Sequence, residues 1–106
     1  MKFIGQESRL NDIYHNSWVS FKNLDLTGVK QVKVRTKGRG AIISVRSTSE
    51  NGEELASINA FSNAPSDGYF KSNVKQTSGK KDLFFVFLNK DEVNILLELY
   101  DIEFIF

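Results

Sequence analysis

Gly79-Lys80-Lys81-Asp82-Leu83-Phe84-Phe85-Val86-Phe87-Leu88 decides the fold. Six consecutive apolar residues follow a charged turn, and half of them are phenylalanine. A run this short and this rich in aromatics predicts a strand rather than a helix, and its lack of alternation predicts that both faces are covered. Such a strand needs apolar material above and below it. A layered β domain is therefore expected.

Beyond that run, Asn89-Lys90-Asp91-Glu92 reads as a charged turn and residues 94–106 as the last strand. Leu97 and Leu99 share one face, whereas Ile102, Phe104 and Phe106 have the opposite parity, and a bulge near Tyr100-Asp101 reconciles the two halves. Residues 92–100 are the best helical candidate in the chain, but their β-branched and aromatic flanks favour a strand. Working back from Gly79, residues 69–74 form a strand. Residues 62–68, which hold the only proline, Pro65, form a loop long enough to carry function. Glu54–Phe61 is a further strand, entered from the turn Ser49-Glu50-Asn51-Gly52. Residues 29–35 alternate with a period of two, so Val32 and Val34 face the core and Lys33 and Arg35 face water. Gly38-Arg39-Gly40 offers two residues able to take positive φ, and residues 41–46 then read as the hairpin partner of that strand. Trp18-Val19-Ser20-Phe21 opens the series. The sum is an all-β chain of about seven or eight short strands, an antiparallel sandwich or barrel, with no repeat and no linker.

Composition bounds the function. A chain of 106 residues fits one domain over 1–106, with 41% hydrophobic and 25% charged residues as in ordinary soluble proteins. No apolar run approaches the ~20 residues of a membrane span. A formal charge of +1 creates no global field to recruit nucleic acid or acidic membrane. Without cysteine there is no disulfide, thiolate zinc site or cysteine nucleophile. The first ten residues lack the apolar core and cleavage site of a secretory signal. The chain is then either cytosolic as it stands or a piece excised from a longer secreted protein.

Catalytic readings find little support. His15 is the lone histidine, and Ser17 lies near it without the strand, Gly-x-Ser-x-Gly and helix context that exposes a nucleophile. Asp101 and Glu103 would sit about 7 Å apart on one strand face, a spacing glycosidases use, but acids of that kind flank a bond across a cleft. Glu53 and Glu54 point to opposite faces. Lys33, Arg35, Lys37 and Arg39 share parity, which suits either an anionic partner or the solvated side of a sheet. No phosphate-loop or dinucleotide glycine pattern occurs. An enzyme is not expected.

A family resemblance follows from the order of these pieces. Trp18-Val19-Ser20-Phe21-Lys22-Asn23-Leu24-Asp25-Leu26-Thr27-Gly28-Val29, Val32-Lys33-Val34-Arg35, Ile43-Ser44-Val45-Arg46 with Gly52 after it, the Gly79 to Phe87 run and the closing Ile102-Glu103-Phe104 resemble family 6 carbohydrate-binding modules over roughly residues 16–104. The resemblance implies a jelly-roll-like, galactose-binding-like β-sandwich that binds an oligo- or polysaccharide without chemistry. It also implies attachment to a larger carbohydrate-active protein and an extracellular or periplasmic location. In such modules two aromatic rings and a polar residue, commonly Asn, hold the sugar. The matching positions here are Asp12, with Tyr14 beside it, a position near Ala64, with Tyr69 and Phe70 beside it, and Glu98. The family's structural calcium would draw on Glu7 and Asp101, with Gln6 a further remnant.

The candidate sugar-binding residues are therefore Tyr14, Trp18, Asn63, Asp67, Tyr69 and Glu98. Each has a second reading. Trp18 is either a stacking platform or a ring packed at the sandwich edge, and Asn16, Asn63 and Asp67 either bond sugar hydroxyls or shape turns. The alternative function is a protein-interaction or structural sandwich that has lost the sugar cleft.

Overall fold

The computed structural model describes residues 10–38, 40–61, 69–91 and 96–106. Eight strands make up its regular structure: β1 Leu10–Ile13, β2 Trp18–Asp25, β3 Gln31–Gly38, β4 Gly40–Ser47, β5 Glu54–Phe61, β6 Tyr69–Asn73, β7 Lys80–Leu88 and β8 Leu97–Ile105. They form two antiparallel four-stranded sheets, ordered β1-β8-β3-β6 and β2-β7-β4-β5. No helix occurs among the described residues. The expected all-β sandwich is what the chain adopts.

The Phe-rich run is an inner strand of its sheet, as its composition predicts. Leu83, Phe85 and Phe87 point into the space between the sheets and are fully buried. Phe85 meets Phe21 edge-on at 5.8 Å and Phe104 of the facing sheet at 6.4 Å between ring centroids. Phe84 and Val86 point the other way and are buried too. What covers them is not a further layer but side chains of neighbouring strands. Trp18 tilts onto Phe84 at 5.2 Å, and Lys22 Nζ lies 5.6 Å from the same ring.

The last strand is reconciled by the expected irregularity. Arg35 of β3 pairs with Asp101 and Thr36 with Leu99, so Tyr100 is the extra residue of a bulge. Leu97 and Leu99 before it and Ile102 and Phe104 after it all reach the core. The strand ends at Ile105, and Phe106, expected to share the core parity of Phe104, turns outward instead.

One expectation fails. β3 and β4 are not a hairpin, because they belong to different sheets, and Gly38 and Gly40 carry the chain from one sheet to the other. Both glycines have positive φ, 142° and 102°. Paired glycines signal a sharp change of direction, and a sheet-to-sheet crossing demands that as much as a tight turn does. Among sequence neighbours only β4 and β5 lie side by side.

Asp25 closes β2. Its Oδ1 accepts the Thr27 backbone N–H at 3.0 Å, and this bond first, then the Thr27 side chain and nearby Lys80, hold the carboxyl below its ordinary range. A lowered carboxyl pKa means the folded state binds that proton less readily than the unfolded chain. The contribution is complete above the ordinary aspartate range near ~4 and is lost as the folded group protonates below it. The stability gap between the wild type and Asp25→Asn, followed by thermal melting, is expected to be present at about pH 6 and to narrow as the pH falls below about 4. A gap constant across that range would exclude the bond as its source.

Candidate functional site

The upper part of the β2-β7-β4-β5 sheet presents the most exposed aromatic surface. Val19 and Phe21 pack toward the core, so Trp18 and Ser20 point outward from β2. Register carries that face across the sheet. Trp18 lies beside Val86, Val86 beside Ser44 and Ser44 beside Ser57, and one row higher Leu88, Ile42 and Asn59 are neighbours. Phe61 stands at the far corner next to Gly40, where a side chain would approach the Phe61 Cα to 2.7 Å. The face is thus an apolar floor of Val86, Leu88 and Ile42 with an aromatic ring at each end.

Polar groups border the floor. Ser44 donates from Oγ to Glu54 Oε2 at 2.5 Å and accepts from Arg46 Nε at 2.9 Å, while Arg46 Nη1 donates to the Glu50 carbonyl at 2.5 Å. Asn59 is exposed on this face.

Above the strands, the loop 14–17 is pinned to β7 and cannot drift. Asn16 N–H donates to the Phe87 carbonyl at 2.8 Å, Phe87 N–H to the Ser17 carbonyl at 2.9 Å, and Ser17 N–H to the Tyr14 carbonyl at 2.9 Å. Tyr14 is 45% exposed and Trp18 48%, so nearly half of each side chain meets solvent. A cleft of about 340 Å³ opens beside the loop between His15, Phe61, Leu88 and Asn89. His15 Nδ1 accepts the Asn89 N–H at 3.0 Å, and the Asn89 side chain donates to the Gly40 carbonyl at 3.1 Å. The lone histidine therefore fastens one loop to another.

The sequence candidates divide between the two outer faces. Tyr14 and Trp18 belong together at this end. Tyr69 and Glu98 lie on the outer face of the opposite sheet, across the sandwich from Trp18, and do not join them. There Lys33, Arg35 and Lys37 stand in register with Glu103, Asp101 and Glu98. Lys33 bridges Glu103 at 3.2 Å and lies 4.7 Å from the Tyr69 ring, Arg35 sits between the rings of Tyr69 and Tyr100, and Tyr100 donates to Glu98 at 2.5 Å. The three described cations of the stripe are each answered by an acid one strand away, and Arg39 lies outside the described residues. Asn63, Asp67 and the position near Ala64 lie outside the described residues, as does the side chain of Asp12.

The family resemblance makes Asp101 a calcium ligand together with Glu7, which also lies outside the described residues. Asp101 is 2% exposed, with Oδ2 3.5 Å from the Tyr69 hydroxyl and Oδ1 lacking a hydrogen-bond partner among the described residues. An orphaned carboxylate oxygen is the kind of group a hard cation satisfies. Calcium takes six to eight oxygens, however, and no three His, Cys, Asp or Glu converge among the described residues. Those residues alone do not fit the ion.

Sequence reasoning missed Phe61 and Asn59 as members of the Trp18 face. Their signal was present: Ser57, Asn59 and Phe61 share the outward parity of β5.

The sandwich can be compared with solved structures as a whole. A family 6 carbohydrate-binding module of Clostridium cellulolyticum, solved in complex with xylose, superposes with a TM-score of 0.82 at 19% identity, covering 100% of this chain and 86% of that one. The chain has the fold of the family 6 carbohydrate-binding modules. A β-1,3-glucan-binding family 6 module of Bacillus halodurans matches this module fold with a TM-score of 0.77 at 18% identity, over 98% of this chain and 84% of that one. A Clostridium stercorarium module solved with cellobiose gives 0.74 at 23% identity, over 98% and 79%. Comparison with protein-family models returned no match, and neither did comparison with curated proteins. The module fold accounts for the two sheets.

Proposed function

We propose that the chain is a non-catalytic glycan-binding module whose ligand lies along the outer face of the β2-β7-β4-β5 sheet, with Trp18 as the principal stacking platform and Tyr14 beside it. The observation that carries this reading is the placement of exposed rings. Of the four large apolar side chains exposed among the described residues, Tyr14, Trp18 and Phe61 all lie at one end of one sheet. An indole face packs against the apolar face of a pyranose, and Asn59, Ser57 and Arg46 supply bonds to its hydroxyls. Trp18 and Phe61 are three strand spacings apart and two residue pairs offset, roughly 20 Å by ordinary sheet dimensions. The ligand is accordingly an oligosaccharide stretch rather than one sugar. Asn63 and Asp67, which follow Phe61 in sequence, are proposed as further hydrogen-bonding groups, whereas Tyr69 and Glu98 are left to the charge ladder of the other face.

The match also supports an accessory role. The chain aligns with only 20% of a family 43 arabinoxylan arabinofuranohydrolase of Bacillus subtilis, at a TM-score of 0.81. A module of this kind working outside the cell as part of a larger carbohydrate-active protein is the context we propose.

Affinity electrophoresis through gels containing xylan, β-1,3-glucan or a soluble cellulose derivative tests the proposal. At least one polymer is expected to retard the wild type. Trp18→Ala should weaken that retardation by roughly tenfold, the loss of one stacked ring, and Tyr69→Ala should leave it intact. Failure of every polymer to retard the wild type would instead favour an interaction domain that binds no sugar.

A further inference from the structure

The end of the sandwich remote from loop 14–17 carries a separate cleft of about 530 Å³, between the β2–β3 turn and the β6–β7 connection. Thr27 and Lys30 line one wall and Gln76, Thr77 and Ser78 the other. Val29 and Val74, both packed on the core, lie between them. The volume falls within the roughly 300–1,000 Å³ typical of small-ligand sites.

The walls are stapled together by backbone bonds. Gly79 N–H donates to Thr27 Oγ1 at 3.0 Å, and Leu26 N–H donates to the Gly79 carbonyl at 3.0 Å. Val74 N–H donates to the Lys30 carbonyl at 2.9 Å, and Lys30 N–H to the Ile105 carbonyl at 2.8 Å. The cleft is preformed, so a ligand need not order it. Among the described residues Gln76, Thr77 and Ser78 have no side-chain partner within the protein. Asn73 Oδ1 accepts a hydrogen bond from Gln31 Nε2 at 3.1 Å, and Asn73 lines the cleft. Next to the cleft, though not part of its lining, is Phe106, 56% exposed, its ring 3.9 Å from where a Gly28 side chain would begin. Gly28 itself lines the cleft and has φ of 82°, so the ring keeps that open approach.

We infer that this cleft is a second saccharide site, for a neutral oligosaccharide whose terminal sugar enters between the two walls and stacks on Phe106. Amides and hydroxyls that both donate and accept match sugar hydroxyls, which do the same. The lining holds one lysine and no carboxylate. An anionic ligand calls for several cations or a guanidinium, and a cationic one for an acid. An aromatic ring beside a polar cleft meets the apolar face of a pyranose. The site lies at the opposite end from Trp18 and does not depend on that face.

Titration of the ¹⁵N-labelled chain with xylotetraose, cellotetraose and laminaritetraose, followed by amide NMR, reads the two sites separately. Saturable shifts are expected at Thr27 to Lys30 and Gln76 to Ser78 with at least one of the three. Phe106→Ala and Gln76→Ala should each weaken that response roughly three- to tenfold, and Trp18→Ala should leave it unchanged. Both substituted side chains are exposed, so folding is not at stake. The inference is overturned when none of the three sugars moves those amides, or when Phe106→Ala and Gln76→Ala bind as the wild type does. The amides of Val19, Ser44 and Ser57 report the Trp18 face independently, so loss of one site is not mistaken for loss of the other.

Discussion

Truncating Phe85 to alanine is expected to lower the unfolding free energy by about 3–5 kcal/mol, a large share of the ~5–15 kcal/mol that holds a domain of this size together. The ring is completely buried and touches both sheets, with Phe21 beside it and Phe104 across from it. Close-packed neighbours on an inner strand cannot collapse into the vacated space without moving a ladder on either side. The cost therefore includes the cavity as well as the lost transfer of the ring. Urea denaturation measures it as a fall in midpoint with the slope kept. Phe61→Ala, which removes the same ring from an exposed corner, should change the midpoint little. A loss below about 1 kcal/mol at Phe85 would mean that the two sheets are not packed through that residue.

Gly38→Ala is expected to cost about 2–4 kcal/mol, through strain at positive φ together with a steric clash. A Cβ there would stand 2.6 Å from the Leu97 Cα and 2.7 Å from the Leu96 carbonyl oxygen, both backbone atoms that no side-chain rotation can clear. Gly79→Ala provides the contrast. It also has positive φ, but nothing lies within 4 Å of its Cβ position, so it should lose only the strain term. Equal melting temperatures for the two variants would show that the crossing has slack.

Much of the architecture was legible because the decisive signals are local. Six apolar residues ending in Leu88 need two covered faces wherever they fold, and the parity change between Leu99 and Ile102 demands one extra residue, which is Tyr100. Partner choice was not local. Gly38 and Gly40 announce a change of direction, but whether the next strand returns beside β3 or crosses to the other sheet depends on β7 and β8, tens of residues later. The same limit governs the site. Aromatics can be counted from sequence, yet Trp18 and Tyr69 fall on opposite outer faces because their strands lie in different sheets. The cationic stripe of β3 looked available until β8 brought Glu98, Asp101 and Glu103 into register with it.

The strand order also has a consequence for how the protein reaches this state. Each sheet is joined through a strand from the final quarter of the chain, β7 in one and β8 in the other. During synthesis, β1 to β6 can form little beyond the β4–β5 hairpin and a β3–β6 pair until those late strands emerge. Pairings so distant along the chain are slow to nucleate, and commitment should come in milliseconds to seconds, only after β8 has emerged from the ribosome. In that interval Leu83 to Leu88 is the stretch most exposed to self-association, and Lys80, Lys81 and Asp82 at its leading edge are the charges placed to keep it apart from its copies.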